Sequence, residues 1–84
     1  MEKLHFKENI VNNVVLQRLN KIPGVNKKKE IKISFSVSAI SISVSPIPYI
    51  LNVYEIAKRI QNLIKEEIIS KFNKHIIINV SLIS

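Results

Sequence analysis

The chain has 84 residues, a formal net charge of +7 and no cysteine, which excludes a disulfide framework, a thiolate zinc site and thiol redox chemistry and leaves room for one small domain, 1–84. Hydrophobic residues make up 46% of it, enough for a packed core over disorder. No run approaches the ~20 apolar residues of a membrane span, and the start MEKLHFKEN lacks the apolar centre of a secretion signal.

The composition therefore suits an intracellular protein, and one near the size where self-association helps to bury enough surface. Thirteen Lys and Arg oppose six Glu, a balance that suits nucleic acid, anionic lipid or an acidic protein. The basic residues do not gather on one element, and a solvated surface enriched in Lys by composition is the plainer alternative.

Leu4 and Phe6 flank His5 in a short alternating piece, a brief first strand or an extended arm. From Asn9 the period changes. Ile10, Val11, Val14, Val15, Leu19 and Ile22 recur at helical spacing while Asn12, Asn13, Gln17 and Arg18 take the other side, which predicts an amphipathic helix over 9–20. Asn9 suits the N-cap and Glu8 the electropositive helix start. Ile22-Pro23-Gly24-Val25 then joins a Pro to the only Gly of the chain, and the helix stops near Asn20 or Lys21 because a residue before Pro is pushed out of the α region.

Asn26 to Glu30, NKKKE, is a charged loop. Lys27, Lys28 and Lys29, with Lys32 beyond them, are the candidate polyanion contacts, and a solvent-exposed connector is the simpler alternative. Ile31 to Pro46 alternates apolar residues with serine, changes phase once at Ala39-Ile40, and alternates again. A single strand of that length, at ~3.3 Å per residue, would outrun a domain of this size, so the stretch predicts a β-hairpin over 31–46.

The apolar face of this hairpin sets Ile31, Ile33, Phe35 and Val37 against Ile40, Ile42, Val44 and Pro46, and it needs a cover. The other face shows Lys32 with Ser34, Ser36, Ser41, Ser43 and Ser45. The reversal is expected near Ser38-Ala39, or as a longer loop over Ser38 to Ser41. These registers differ by one residue pair, and the Asn or Gly that a tight primed turn prefers is missing. Pro46 and Pro48 end the ladder.

Asn52 is a good N-cap for a long helix over 52–72, whose stripe is Val53, Ile56, Ala57, Ile60, Leu63, Ile64, Ile68 and Phe72. Glu55 and Arg59 are placed for an i,i+4 ion pair on its outer side. After a turn at Asn73-Lys74, residues 76–82 read as the last strand. Ile76, Ile78, Val80 and Leu82 make one face of it, while Ile77 and Ile83 make the other face apolar too, so that the strand is expected to be central or covered on both sides. The order is (β)αββαβ, an α+β two-layer sandwich with two helices on one face of a small mixed sheet.

Catalytic and ligand chemistry finds few residues to work with. Asp and Cys are absent, and His5 and His75 stand apart from any carboxylate or second ligand at metal spacing. A serine nucleophile needs a base and an orienting group, and alternating strand serines supply neither. With one Gly there is no P-loop, no dinucleotide fingerprint and no GxxG clamp of the KH type. A basic KH-like RNA-binding module is thus the second choice, and the serine face offers no aromatic platform for bases. No catalytic residue, metal, cofactor or small-molecule substrate is expected.

The element order, the Ile22-Pro23-Gly24-Val25 step, the alternating hairpin and above all Asn52 to Lys65, NVYEIAKRIQNLIK, resemble the alkaline shock proteins of the bacterial envelope stress response. Ile60-Gln61 through Lys65 is the most specific part. The resemblance implies a non-enzymatic cytoplasmic protein that self-associates, is held at the membrane by a separate anchor protein or another partner, and serves envelope homeostasis, in some relatives linked to fatty-acid or phospholipid metabolism. For such a role the candidate interface residues are Ile77, Ile83, Ser34, Ser36, Ser41 and Ser43.

Overall fold

The computed structural model describes residues 8–48 and 52–83. They form α1 (Glu8–Leu19), β1 (Lys32–Phe35), β2 (Ala39–Val44), α2 (Val53–Phe72) and β3 (Ile77–Leu82). The strand or arm expected at Leu4 to Phe6 lies outside the described residues.

Helix α1 buries Val11, Val15 and Leu19 completely. Ile10, expected in the same stripe, is 47% exposed, because its position about 100° around the helix from Val11 carries it off the packed side. Asn9 lies inside the helix rather than at its cap. At the other end, the amides of Lys21 and Ile22 donate three residues back to Arg18 and Leu19 (3.0 and 3.1 Å), the tight last turn that satisfies carbonyls at a helix end.

Gly24 has φ 98°, a conformation in which a Cβ would clash. This turn brings Val25 into an antiparallel bridge with Pro46, flanked by Asn26 N–H to Ser45 O and Ile47 N–H to Gly24 O, both 2.8 Å. Residues 26–31 then leave the ladder, which resumes at Lys32↔Ser43. Within this excursion the Asn26 side chain accepts from Lys28 N–H (3.0 Å), an Asx turn that shapes the lysine loop.

The sheet order is β1-β2-β3, antiparallel between β1 and β2 and parallel between β2 and β3. Phe35 faces Ile40 and Ile33 faces Ile42, one residue pair away from the nearer expected register. The chain reverses at Val37-Ser38 instead of Ser38-Ala39, with Ser36 N–H bonded to Ala39 O (2.9 Å). The earlier turn frees Ala39 to pair with Ile77 and lets Ser38 O accept from Ile77 N–H (3.0 Å). Val37 moves from the apolar face to the turn apex and is 72% exposed. The shift is even, so the other apolar side chains keep their face.

Central strand β2 buries Ile40, Ile42 and Val44. Strand β3, expected to be central or covered, is instead an outer strand; its apolar far side is not a sign of burial within the monomer. Helix α2 is capped by Asn52, whose side-chain oxygen accepts from Glu55 N–H (3.1 Å), and ends at Asn73 in the left-handed region, φ 55°. It buries Ile56, Ile60, Ile64 and Ile68, while Val53, expected in the stripe, is 43% exposed at its first turn.

Among the described residues the ion pairs are Arg18–Glu67 (3.4 Å) and Lys71–Glu67 (3.5 Å), not the Glu55–Arg59 pair, so Glu67 links α1 to α2. The buried residues of both helices join those of β2 and β3 in one core. The result is the expected α+β two-layer sandwich, both helices on one face of a mixed sheet. No helix among the described residues is long and apolar enough to cross a membrane.

Candidate functional site: the far face and outer edge of the sheet

Side chains alternate across a strand, so burial of Ile33, Ile40, Ile42 and Ile78 toward the helices turns their neighbours to the far face. The register arranges that face in rows. Ser34, Ser41 and Asn79 lie side by side across the sheet, as do Lys32, Ser43 and Ser81, while Ala39 stands beside Ile77. Ile77 is 60% exposed and Ile83, just beyond β3, 44%. Val37, at the hairpin apex, belongs to the same end of the sheet as Ile77, because the Ser38 carbonyl bonds to Ile77 N–H.

The candidate residues divide accordingly. Ser34, Ser41, Ser43 and Ile77 share the far face with Lys32, and Ile83 continues it past Leu82. Ser36 lies in the turn, its hydroxyl 3.3 Å from Ala39 O as donor. Ser45, expected on the serine face, is 5% exposed where the strand passes into the Val25–Pro46 bridge. Lys27, Lys28 and Lys29 are exposed on the loop at 26–31, and Lys32 is separated from them on the sheet.

Among the described residues this face holds hydroxyls, an amide and the Lys32 ammonium, and at its β1 side Glu30 and Asn12 join Lys32, Ser34, Ser41 and Ser43 around a cleft of about 570 Å³; no imidazole or thiol stands there beside the carboxylate to serve as base or nucleophile. Among the described residues no group of three or more His, Cys, Asp or Glu is placed to hold a metal ion. His75 is exposed, and His5 lies outside the described residues.

A second feature was not read from the sequence. Helix α2 packs against β3, and a groove of about 330 Å³ runs between them, lined by Tyr54, Ala57, Lys58, Gln61 and Val80. The Gln61 amide donates to Ile78 O at 2.8 Å. Lys58 Nζ lies 5.8 Å from the centroid of the Tyr54 ring, a cation–π arrangement across one helical turn. Tyr54, Lys58 and Gln61 recur at i, i+4 and i+7, a signal present in the sequence but indistinguishable there from an ordinary solvent face.

A further cleft of about 390 Å³ separates the lysine loop from the start of α2, with Lys29, Pro46, Ile47 and Val53 on its walls. It accounts for the exposure of Ile47 and Val53.

No family model and no curated protein matches the sequence significantly. Among solved structures, a variant of MamM-CTD is similar to this chain with a TM-score of 0.56 and 18% sequence identity, covering 93% of this chain and 99% of that one. At that identity the likeness establishes a shared fold.

Proposed function

We propose that the protein is a non-catalytic, self-associating interaction module. The observation that carries this is the far face of the sheet: among the described residues only Asn12 of α1 and Glu30 reach its β1 side, and it sets Ile77 and Ile83, 60% and 44% exposed, on a surface whose remaining strand side chains are small, polar and, apart from Lys32, uncharged. Antiparallel sheets can leave a polar face in water; here Ile77 and Ile83 stand at the two ends of β3, roughly 20 Å apart at ~3.3 Å per residue, and a second subunit laid along the strand would cover both. A domain of this size also gains from such burial.

Sedimentation equilibrium over a range of concentrations tests the proposal directly. A reversible oligomer is expected, and strictly monomeric protein at the highest concentration overturns it.

The cellular role we assign is envelope homeostasis at the cytoplasmic side of the membrane, exercised with an anchor protein. It rests on the resemblance of Ile22 to Val25 and Ile60 to Lys65 to the alkaline shock proteins. Recovery of an envelope protein by affinity purification from the native host is the expected outcome, and recovery of ribosomal or RNA-bound material alone would replace this role with nucleic-acid binding.

A further inference from the structure

The two outer strands of the sheet are protected unequally. Strand β1 has four residues, carries Lys32, and is preceded by the lysine loop, the devices by which proteins keep an edge from pairing with another chain. Strand β3 has six residues, IINVSL, with no charge, Pro or Gly, and among the described residues nothing pairs with its outer side.

The direction of its backbone groups follows from the ladder. Ile77 N–H bonds to Ser38 O and Ile83 N–H to Val44 O, so odd positions point their amides at β2, and the N–H and C=O of Ile78, Val80 and Leu82 point outward. The bond from Gln61 Nε2 to Ile78 O agrees: α2 supplies a donor where a neighbouring strand would. The carbonyl has a second lone pair for an incoming strand.

From this geometry we infer that the outer edge of β3 and the groove beside α2 take an extended acidic peptide segment of a partner protein as an added strand. Main-chain bonds to Val80 and Leu82 supply the docking, and charge selects the occupant. Lys58 is the charged side chain lining the groove, beside Tyr54, Ala57, Gln61 and Val80, on a chain of net charge +7. A second copy added edge to edge about a two-fold axis near Val80, the strand residue beside Lys58 in the groove, would set Lys58 against its own equivalent, a like-charge contact. An acidic strand meets Lys58 with the opposite sign. This site is separate from the far face, so the inference does not depend on self-association.

The test uses the whole chain and a short synthetic peptide of alternating Glu and Val, with a Lys-and-Val peptide as control, followed by amide NMR shifts and hydrogen exchange. The acidic peptide is expected to shift and protect the Val80 and Leu82 amides, and to bind at least roughly fivefold more tightly than the basic one. Lys58→Glu should reverse that preference. Val80→Pro, which removes an outward N–H while sparing the ladder to β2, should abolish binding of the acidic peptide with the circular dichroism unchanged; should that variant not fold, Lys58→Glu decides alone.

Equal affinity for both peptides, or shifts confined to Lys27 to Lys29, overturns the inference. Protection of Val80 and Leu82 without peptide also overturns it: if concentration-dependent, a second copy occupies the edge, and if constant, another segment of this chain does.

Discussion

Replacing Ile77 and Ile83 together by Thr tests the far face with the least disturbance of the monomer. Thr keeps the β-branch that suits a strand and adds no charge to a chain already at +7. Burying an Ile fully is worth ~1.5–3 kcal/mol, and with 60% and 44% of these residues exposed, covering both withdraws roughly 2–3 kcal/mol of apolar surface per protomer. A two-fold contact doubles that. Thr forfeits about half of the total, so the dimer should weaken by ~2–3 kcal/mol, a rise in Kd of about thirty- to a hundred-and-forty-fold.

Sedimentation equilibrium reads the dissociation constant, and denaturant unfolding of dilute protein should stay within about 0.5 kcal/mol of the parent, as surface changes do. A double variant that associates as tightly as the parent refutes the far face as the self-interface. One that loses ~3 kcal/mol or more of monomer stability instead shows that the two side chains are buried in the fold.

Ile60→Asp should leave the chain unfolded at 25 °C by circular dichroism, because Ile60 is fully buried and an uncompensated charge there costs several kcal/mol against a total of ~5–15; cooperative unfolding of a soluble variant contradicts the core assignment. Gly24→Ala, at φ 98°, should cost about 1–2 kcal/mol and lower the Tm by roughly 5–15 °C in a calorimeter, and an unchanged Tm means that the turn is not held in that conformation. For single-stranded RNA, loop contacts from Lys27, Lys28 and Lys29 alone set a log–log salt slope of about −2. Binding should therefore vanish near physiological salt in a fluorescence titration, and tight binding that persists there favours the RNA-binding alternative.

Local signals carried the helices and the faces of the hairpin, and long-range pairing decided what remained. Asn52 announces α2 because an amide side chain can take the orphan N–H of Glu55, and the spacing of Ile56, Ile60, Ile64 and Ile68 states which side is buried. Alternation in Ile31 to Pro46 fixes which residues share a face but tolerates any even shift. The turn at Val37-Ser38 thus depended on β3, whose Ile77 engages Ser38 O and Ala39.

The apolar residues on both sides of β3 suggested a central strand, but two-sided apolar character is equally the mark of a surface that meets another chain. The groove escaped because nothing local says which strand lies beside Tyr54, Lys58 and Gln61; only the order β1-β2-β3 puts Val80 there.

Alternation also makes the two surfaces of β3 independently addressable. At Ile77, Asn79, Ser81 and Ile83 the side chain points to the far face while the amide is committed to β2; at Ile78, Val80 and Leu82 the side chain enters the core while the amide faces outward. Threonine at positions 77 and 83 therefore weakens a face contact and leaves every outward hydrogen bond in place, whereas proline at 80 removes an outward donor and leaves the isoleucines untouched. If both surfaces are used, the double threonine variant should still bind the acidic peptide as a monomer, and the proline variant should still self-associate. Loss of both properties in either variant would mean that one contact, not two, runs along this strand.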